Sequence, residues 1–424
     1  MSLRAKLDDE HGRDDNAYPE CQYCRSPLSV TWADLGSQPL SNLYLTNRSK
    51  AANAETYPLH ARFCRECFLV QVDNCLPPEK IFTDYPYFSS CSDTWLDHCR
   101  QYARTMIERF ALTSSHLVIE IASNDGYLLQ FFKSAGIRTL GIEPAANVAE
   151  HAKSLGIDTE IRFFGEQTAK DMRSRGIAAD HLTAKNVLAH VPDIGDFARG
   201  VSIILKKDAV FTVEFPHLLK TISGLQFDQI YHEHFSYLSL LSVSRIFSDQ
   251  GLRVFDVEEL DTHGGSLRVY ICHEAALFEP TAAVASILKK ERSASLDLPE
   301  GYMNFDQEIT RVRNEFQEFV CAQQAAGKTI AGYGAAAKGN TFLNFCQADS
   351  TTLDFIADVN DAKIGRYMPG SAIPIVSPEI IEKARPAYLL LLPWNLRSEI
   401  VSQLSHVRQW GCQFVTAVAG IHIF

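Results

Sequence analysis

The segment that most constrains this chain is LVIEIASNDGYLLQFF, residues 117–132, with TLGIEP following at 139–144. Leu117 to Ile121 is an apolar run of strand length, and Leu128 to Phe132 opens a helix. Between them lies a polar turn, Ser123-Asn124-Asp125-Gly126. The second strand ends on Glu143, with Pro144 behind it. Strand, turn, helix and strand in that order begin a doubly wound α/β fold, whose ligand sits beyond the carboxyl ends of the strands. An acid about 20 residues past the turn is where such folds hold a ribose diol.

The turn also bears on the ligand. A dinucleotide site needs G-x-G-x-x-G, so that backbone and helix N-terminus can approach a pyrophosphate. This turn has one glycine and an acid. Asp125 repels a pyrophosphate but suits a cationic nucleoside without phosphate. S-adenosylmethionine fits that description, with an ammonium and a sulfonium at one end and a ribose for Glu143 at the other. A polar turn in an unliganded α/β domain is the plainer alternative, because a lone turn motif is weak. Further strand–helix units follow: HLTAKNVL, IGDFARGVSIIL, AVFTVEFP. Asn186-Val187-Leu188-Ala189-His190 falls at a strand end, where a crevice ligand is expected. Upstream, Leu96, Cys99, Ala103, Met106, Ile107 and Phe110 make one helical stripe.

The 424 residues are enough for about three domains at roughly 150 residues each. With 46% hydrophobic residues the chain can build real cores. A net charge of −11 and the lack of a long basic run argue against nucleic acid as partner. No apolar run is long enough to span a bilayer, and MSLRAKLDDEHGRDDNA is too polar for a signal peptide, so a cytoplasmic protein with a mobile tail at 1–18 is expected. A monomer or weak dimer is the expected state.

Two C-x-x-C pairs stand near the N-terminus, Cys21/Cys24 and Cys64/Cys67. Four thiolates close a tetrahedral zinc site. The 39 intervening residues exceed the usual ribbon spacing, and two unrelated pairs or a redox motif are the alternatives. A redox pair sits at a strand-to-helix junction of a βαβ unit, and none is visible here. Four protein ligands leave no open position, so this zinc is expected to be structural, in a domain over residues 19–82.

DQIYHEHFSY, residues 228–237, gathers Tyr231, His232, Glu233 and His234. In an extended segment, His232 and His234 share one face while Tyr231 and Glu233 share the other, which splits a three-ligand metal set. A structural polar loop is a second reading. Proton transfer suits the residues better: a histidine titrates near working pH, a carboxylate orients it, and a phenol donates to a developing oxyanion. Those three roles are what removal of a proton beside a ketone requires.

The chain resembles the sugar C-methyltransferases that act on nucleotide-linked 4-keto-deoxysugars. The resemblance covers nearly everything after the first ~18 residues and rests on specific motifs. These are the paired C-x-x-C, DYPYFSSCSDTWLDH, EIASNDGYLLQ, NVLAHVPD, EFPHLL, FDQIYHEHFSYLSL, HGGSLRVY and GYGAAAKGNTFLN. It implies an N-terminal zinc domain, a central class I methyltransferase domain over 83–280 and a smaller Rossmann-like domain over 281–424 for the sugar nucleotide, a dTDP-sugar being favoured. It implies His234 as base, assisted by Glu233 and Tyr231, with His190 and Tyr85 lining the pocket. Tyr85, Phe88, Ser123, Asn124, Asp125, Gly126, Glu143, Pro144 and the segment Asn186, Val187, Leu188, Ala189 are the cofactor side. The implied reaction is removal of the C3 proton next to the 4-keto group, then attack of the carbanion on the sulfonium methyl, without a catalytic metal. O- or N-methylation of a related substrate is the alternative. Two departures stand out: Cys91 replaces an aromatic residue, and FVTAVAGIHIF lacks a proline-bearing ending.

The C-terminal third carries SILKKERSASLDLPEG, which reads as an exposed charged connector, then a long helix near 305–326 and the strand TIAGYGA. GYGAAAKGN is glycine-rich at a helix start, and Lys338 adds a positive charge, which suits a phosphate. A nicotinamide site with Asp358 on a ribose is one reading, although the glycine spacing departs from the fingerprint. A degenerate scaffold is another. The resemblance favours the diphosphate of a sugar nucleotide, held by Tyr333, Gly334, Lys338, Gly339 and Asn340, with His263 and Arg268 of HGGSLR adding contacts.

Overall fold

The computed structural model describes residues 18–73 and 89–424, apart from the side chains of Cys91 and Asp93. Tyr85 and Phe88 lie outside the described residues. Three strands begin the chain: β1 (Val30–Pro39), β2 (Thr56–Phe63) and β3 (Val70–Val72), joined antiparallel. Five more build the centre in parallel: β4 (Leu117–Ile121), β5 (Arg138–Ile142), β6 (Thr159–Glu160), β7 (Ala179–Lys185) and β8 (Leu205–Pro216). The short β9 (Ser236–Tyr237) leaves this sheet and adds itself to β3. A hairpin of β10 (Leu252–Leu260) and β11 (Ser266–His273) then lays β11 antiparallel on β8. The central order is β10-β11-β8-β7-β4-β5-β6. Sheet growth changes direction between β4 and β7, so the ends of those strands frame a crevice. This is the class I methyltransferase arrangement expected from the sequence.

The C-terminal sheet repeats the device with β12 (Ile330–Tyr333), β13 (Ile356–Ala357), β14 (Ile375–Val376), β15 (Tyr388–Leu391), β16 (Gln413–Thr416) and an antiparallel edge β17 (His422–Ile423). Its order, β14-β13-β12-β15-β16-β17, puts the switch between β12 and β15. GYGAAAKGN runs off β12 at that point.

The helix Phe305–Ala325 explains how the parts are held. Phe305, Ile309, Val312, Phe316 and Val320 recur at helical spacing and are buried. They enter one apolar cluster that also holds Trp32 of β1 and Phe342 of the C-terminal unit. Trp32 and Phe305 pack with ring centroids 4.7 Å apart. Each such buried side chain stabilises the join by roughly 1.5–3 kcal/mol. Among the described residues no helix is long and apolar enough to cross a membrane.

The expected exposed connector is instead a helix, Ala282–Ser293, with Ile287 and Glu291 buried. Glu291 accepts from the backbone N–H groups of Leu240 (2.6 Å) and Leu241 (2.8 Å), and His217 Nε2 lies 2.7 Å from it. The first N–H groups of helix Leu240–Ser248 have no partner within that helix, and a buried carboxylate satisfies them. Counting charges along SILKKER cannot show that one of them caps another helix.

Candidate active site and zinc centre

Two equal turns build the N-terminal cluster. Arg25 N–H donates to the Cys21 carbonyl (3.0 Å) and Phe68 N–H to that of Cys64 (2.9 Å). Arg25 (φ 65°) and Phe68 (φ 62°) both take the left-handed conformation just after the second cysteine. β2 delivers Cys64 directly after Phe63, so the sheet carries the second turn to the first. The four sulfurs of Cys21, Cys24, Cys64 and Cys67 lie within 4.8 Å of one another. Cys21–Cys67 and Cys24–Cys64 are 3.6 and 3.4 Å apart. A tetrahedral ion with ~2.3 Å Zn–S bonds separates its sulfurs by about 3.8 Å, so the set fits zinc with little adjustment. Gln71, which sequence reasoning missed, donates to Cys21 Sγ at 3.1 Å and accepts from Gln22 N–H at 2.7 Å. Among the described residues no other group of three or more candidate ligands converges, so tyrosine–histidine–glutamate–histidine is not assembled as a metal set.

The turn after β4 is strongly bent. Ala122, Asn124 and Gly126 have φ of 54°, 47° and 81°. A Cβ on Gly126 would meet Ile157 at 3.0 Å, so the turn closes tightly on the neighbouring loop. Glu143 Oε2 accepts from Asn124 N–H and Oε1 from Ala145 N–H, both at 2.9 Å. Burial pushes this carboxyl up, and the two N–H groups pull it back. Asp125 Oδ2 accepts from Ser90 N–H (3.1 Å) and Ser90 Oγ (2.6 Å), while its Oδ1 is buried without a partner. Ser123 Oγ is buried and unpartnered as well. Glu120, inside β4, was not singled out in the sequence. Its carboxyl is fully buried beside the Tyr127 hydroxyl, and burial holds its pKa well above the usual range. The Asp125 and Glu143 carboxyls at this turn suit a cationic ligand better than a pyrophosphate.

At the end of β7, Asn186 (φ 55°) turns the chain toward Val187 and a short 3₁₀ turn, Leu188–His190. Asn186 Nδ2 donates to His263 Nε2 at 2.9 Å, and burial with the nearby charge of Lys338 lowers His263 to about 4. The central crevice and the HGG loop are therefore one site. Arg268 does not join it. It is buried inside β11, donating to Glu214 Oε1 (2.6 Å) and Glu258 Oε2 (2.9 Å). Glu214 also pairs with Lys185 and with His98 at 2.9 Å. A motif cannot say whether its arginine faces a ligand or a carboxylate on the next strand.

The YHEH segment is a turn, not a strand. His234 N–H donates to the Tyr231 carbonyl at 2.9 Å. This brings the two rings to 4.1 Å between centroids and sends His232 the other way, to the carbonyls of Tyr57 (3.3 Å) and Pro58 (3.2 Å). His234 Nδ1 lies 2.9 Å from the Gln229 carbonyl, which can only accept, so Nδ1 carries the hydrogen. Nε2 then holds a lone pair and accepts from the Tyr231 hydroxyl at 2.8 Å. Burial, followed by the His190, Lys338 and His263 charges, pushes His234 well below the ordinary histidine range. Its imidazole is neutral at physiological pH. His190 packs edge-on at 4.7 Å. Glu233, expected to orient the base, does not bond it; the Gln229 carbonyl does that. Glu233 Oε1 accepts instead from Asn42 Nδ2 at 2.6 Å, and burial pushes the carboxyl up to about 7.

The turn is held from outside the central sheet. Val70 pairs with Tyr237, Gln71 with Ser236, and Val72 N–H donates to the Phe235 carbonyl at 3.1 Å. The zinc-bearing sheet thus anchors the candidate base loop.

The glycine-rich loop faces the same seam. Gly334 (φ 84°) lies against Pro393, and Gly339 packs its backbone on Leu392. Lys338 Nζ donates to Asn395 Oδ1 at 2.7 Å and sits 5.0 Å from the Trp394 ring centroid. Trp394 Nε1 donates to Asp228 Oδ2 at 2.7 Å; burial raises that carboxyl to about 6, against the pull of Lys338. Tyr333 and Asn340 are buried beside the loop. Asp358, the ribose candidate of the nicotinamide reading, already accepts from Ala335 N–H (2.6 Å) and Asn360 N–H (2.8 Å). Its oxygens hold the loop.

Comparison with known proteins matches this layout part by part. Residues 21–82 match a zinc binding domain, 95–257 a methyltransferase domain and 261–419 a C-methyltransferase C-terminal domain. C-methyltransferase NovU from Streptomyces niveus is 36% identical over 399 residues, covering 94% of this chain and 95% of that one. The chain belongs to the S-adenosylmethionine-dependent C-methyltransferase family. Among solved structures, a methyltransferase from Clostridium acetobutylicum overlaps 42% of this chain and 92% of its own, at 10% identity and a TM-score of 0.34. Magnesium protoporphyrin IX methyltransferase from Synechocystis with bound SAH overlaps 42% and 83%, at 14% identity and 0.33. Overlaps so partial support no argument. The family membership makes S-adenosylmethionine the cofactor of this C-methyltransferase, and the acidic turn fits it. Zinc is its structural metal.

Proposed function

We propose that the enzyme methylates a carbon next to the ketone of a nucleotide-diphosphate-linked 4-keto-deoxysugar, at C3, with a dTDP-sugar as the favoured substrate. The observation that carries this reading is the neutral, buried His234 whose Nε2 lone pair meets the Tyr231 hydroxyl. S-adenosylmethionine supplies an electrophilic methyl on a sulfonium. The chain's own residues do the rest. Nε2 of His234 takes the C3 proton, and the electron pair of that C–H bond moves into the enolate. Before that transfer Tyr231 turns its donated bond from Nε2 to the ketone oxygen, which frees the lone pair and places the hydroxyl to stabilise the enolate charge. Asp125 and Glu143 hold the cofactor, while Lys338 and the glycine-rich loop face the diphosphate. His190 and His263 close the crevice.

The test uses a dTDP-linked 4-keto-6-deoxyhexose in D₂O with S-adenosylhomocysteine in place of the methyl donor. Deuterium should enter at C3 with the wild-type enzyme and not with His234→Asn. Methylation of an oxygen or nitrogen, with no exchange at carbon, would replace this reading by O- or N-methyl transfer.

A further inference from the structure

The Glu233 carboxyl finds its hydrogen-bond donor in the N-terminal part of the chain, not in the domain that carries it. Its Oε1 accepts from Asn42, in the loop between β1 and helix Arg48–Ala52. Asn42 Oδ1 faces the Tyr44 hydroxyl at 3.3 Å, and that hydroxyl donates its shorter bond, 2.7 Å, to the Ala335 carbonyl. Ala335 belongs to GYGAAAKGN, and its carbonyl also accepts from Lys363 Nζ at 2.8 Å. Asn42 thus bonds the candidate active-site acid directly and packs beside the phenol that holds the glycine-rich loop.

We propose that Asn42 is a positioning residue for this C-methyltransferase: its amide donates to Glu233 Oε1 at 2.6 Å and aims that carboxyl from the N-terminal part of the chain. An amide suits the place because it offers the carboxylate an uncharged N–H donor. A second carboxylate there would repel the first. The other groups around Glu233 do not supply that donor. Tyr44 is a buried phenol whose ionisation is pushed up by burial and by Asp358 and Glu233. His190 engages the Glu233 backbone carbonyl, not its carboxyl. Burial raises Glu233, and Asn42 opposes it. The zinc-bearing part of the chain thus contributes to the site as well as to the fold. The proposal rests on the active-site reading only for its consequences in turnover.

The test is infrared difference spectroscopy of the full-length, zinc-loaded enzyme with S-adenosylhomocysteine. The protonated-carboxyl band of Glu233 is assigned by its loss in Glu233→Gln and followed against pH. Its midpoint should lie near 7 in the wild type. Asn42→Leu should move it upward by roughly one to two pH units, the loss of one hydrogen bond to the charged form. An unmoved midpoint in a variant that still binds zinc and S-adenosylhomocysteine overturns the proposal. If Asn42→Leu does not fold, the isosteric Asn42→Asp decides. Two facing carboxylates should hold a shared proton to higher pH, and an unchanged band again overturns the proposal. Neither readout involves the sugar substrate, so failure of the substrate assignment shows only in turnover.

Discussion

The Tyr231 hydroxyl donates to Nε2 of His234 at 2.8 Å while the Gln229 carbonyl fixes Nδ1 on the opposite side of the ring. The tautomer is thereby set, and the basic atom is the one beside the phenol. A histidine held this way accepts a proton at Nε2 once the phenol finds another acceptor.

His234→Asn should leave S-adenosylhomocysteine affinity within about twofold, while methyl transfer falls by roughly 10²–10⁴, the usual contribution of a general base. Calorimetric titration and a methyl-transfer assay on the same preparation check this. Retained turnover would remove His234 from the reaction.

Tyr231→Phe frees Nε2 but deletes the donor to the enolate oxygen. If the oxyanion role is right, kcat should drop by roughly 10²–10³ with little change in KM. A rise in kcat would mean that the hydroxyl only obstructs the base.

Glu143→Ala removes the carboxylate that bridges Asn124 and Ala145. Losing charge-assisted bonds to a ribose diol should weaken S-adenosylhomocysteine by roughly 10–100-fold. A variant that binds as the wild type does would place the ribose elsewhere.

Chelating zinc should release the Cys21–Cys67 turns and with them the β3–β9 pairing. Hydrogen exchange should rise at residues 70–72 and 235–237 together. Activity should disappear with that exchange, as expected of a metal whose binding is folding free energy. Loss of activity with both segments still protected would give the metal another role.

His181 is buried against Tyr102 and lowered to about 3 by burial. The unfolded chain binds its proton below about 6.5 while the folded one does not, so this stability is complete above pH 6.5 and is lost as pH falls toward 3. The loss amounts to roughly 1.4 kcal/mol per pH unit. Thermal melts of His181→Asn across pH 4–6.5 should show a shallower slope than the wild type, by about one proton. Equal slopes would mean that His181 is protonated in the folded protein.

Much of this protein is local, and local patterns are legible. The strand Leu117–Ile121 was readable to the residue, because a fully buried strand is a short apolar run bounded by turn residues. The long helix beginning at Phe305 was readable from its spacing. The paired cysteines and the acidic turn were readable because zinc and a cationic nucleoside each demand particular side chains at particular intervals. In the YHEH segment the residue types pointed to proton transfer, but its geometry was not there to read. An i to i+3 hydrogen bond decides that Tyr231 meets His234, and nothing in four adjacent polar residues requires that bond.

The sequence by itself determined three things: the strand–turn–helix unit that opens the central sheet, which residues can bind zinc, and which turn can receive a cationic nucleoside. Each depends on neighbours in the chain or on donor chemistry that any fold must respect. The tertiary structure alone decided that Arg268 faces Glu214, that Glu291 caps a distant helix, that Asn42 bonds Glu233 and that Tyr44 bonds Ala335. Those choices match a buried charge or hydrogen-bonding group with a partner 54, 51, 191 and 291 residues away, respectively. Such partners are selected by the cost of leaving a buried polar group unpaired, a quantity that exists only once the chain has packed.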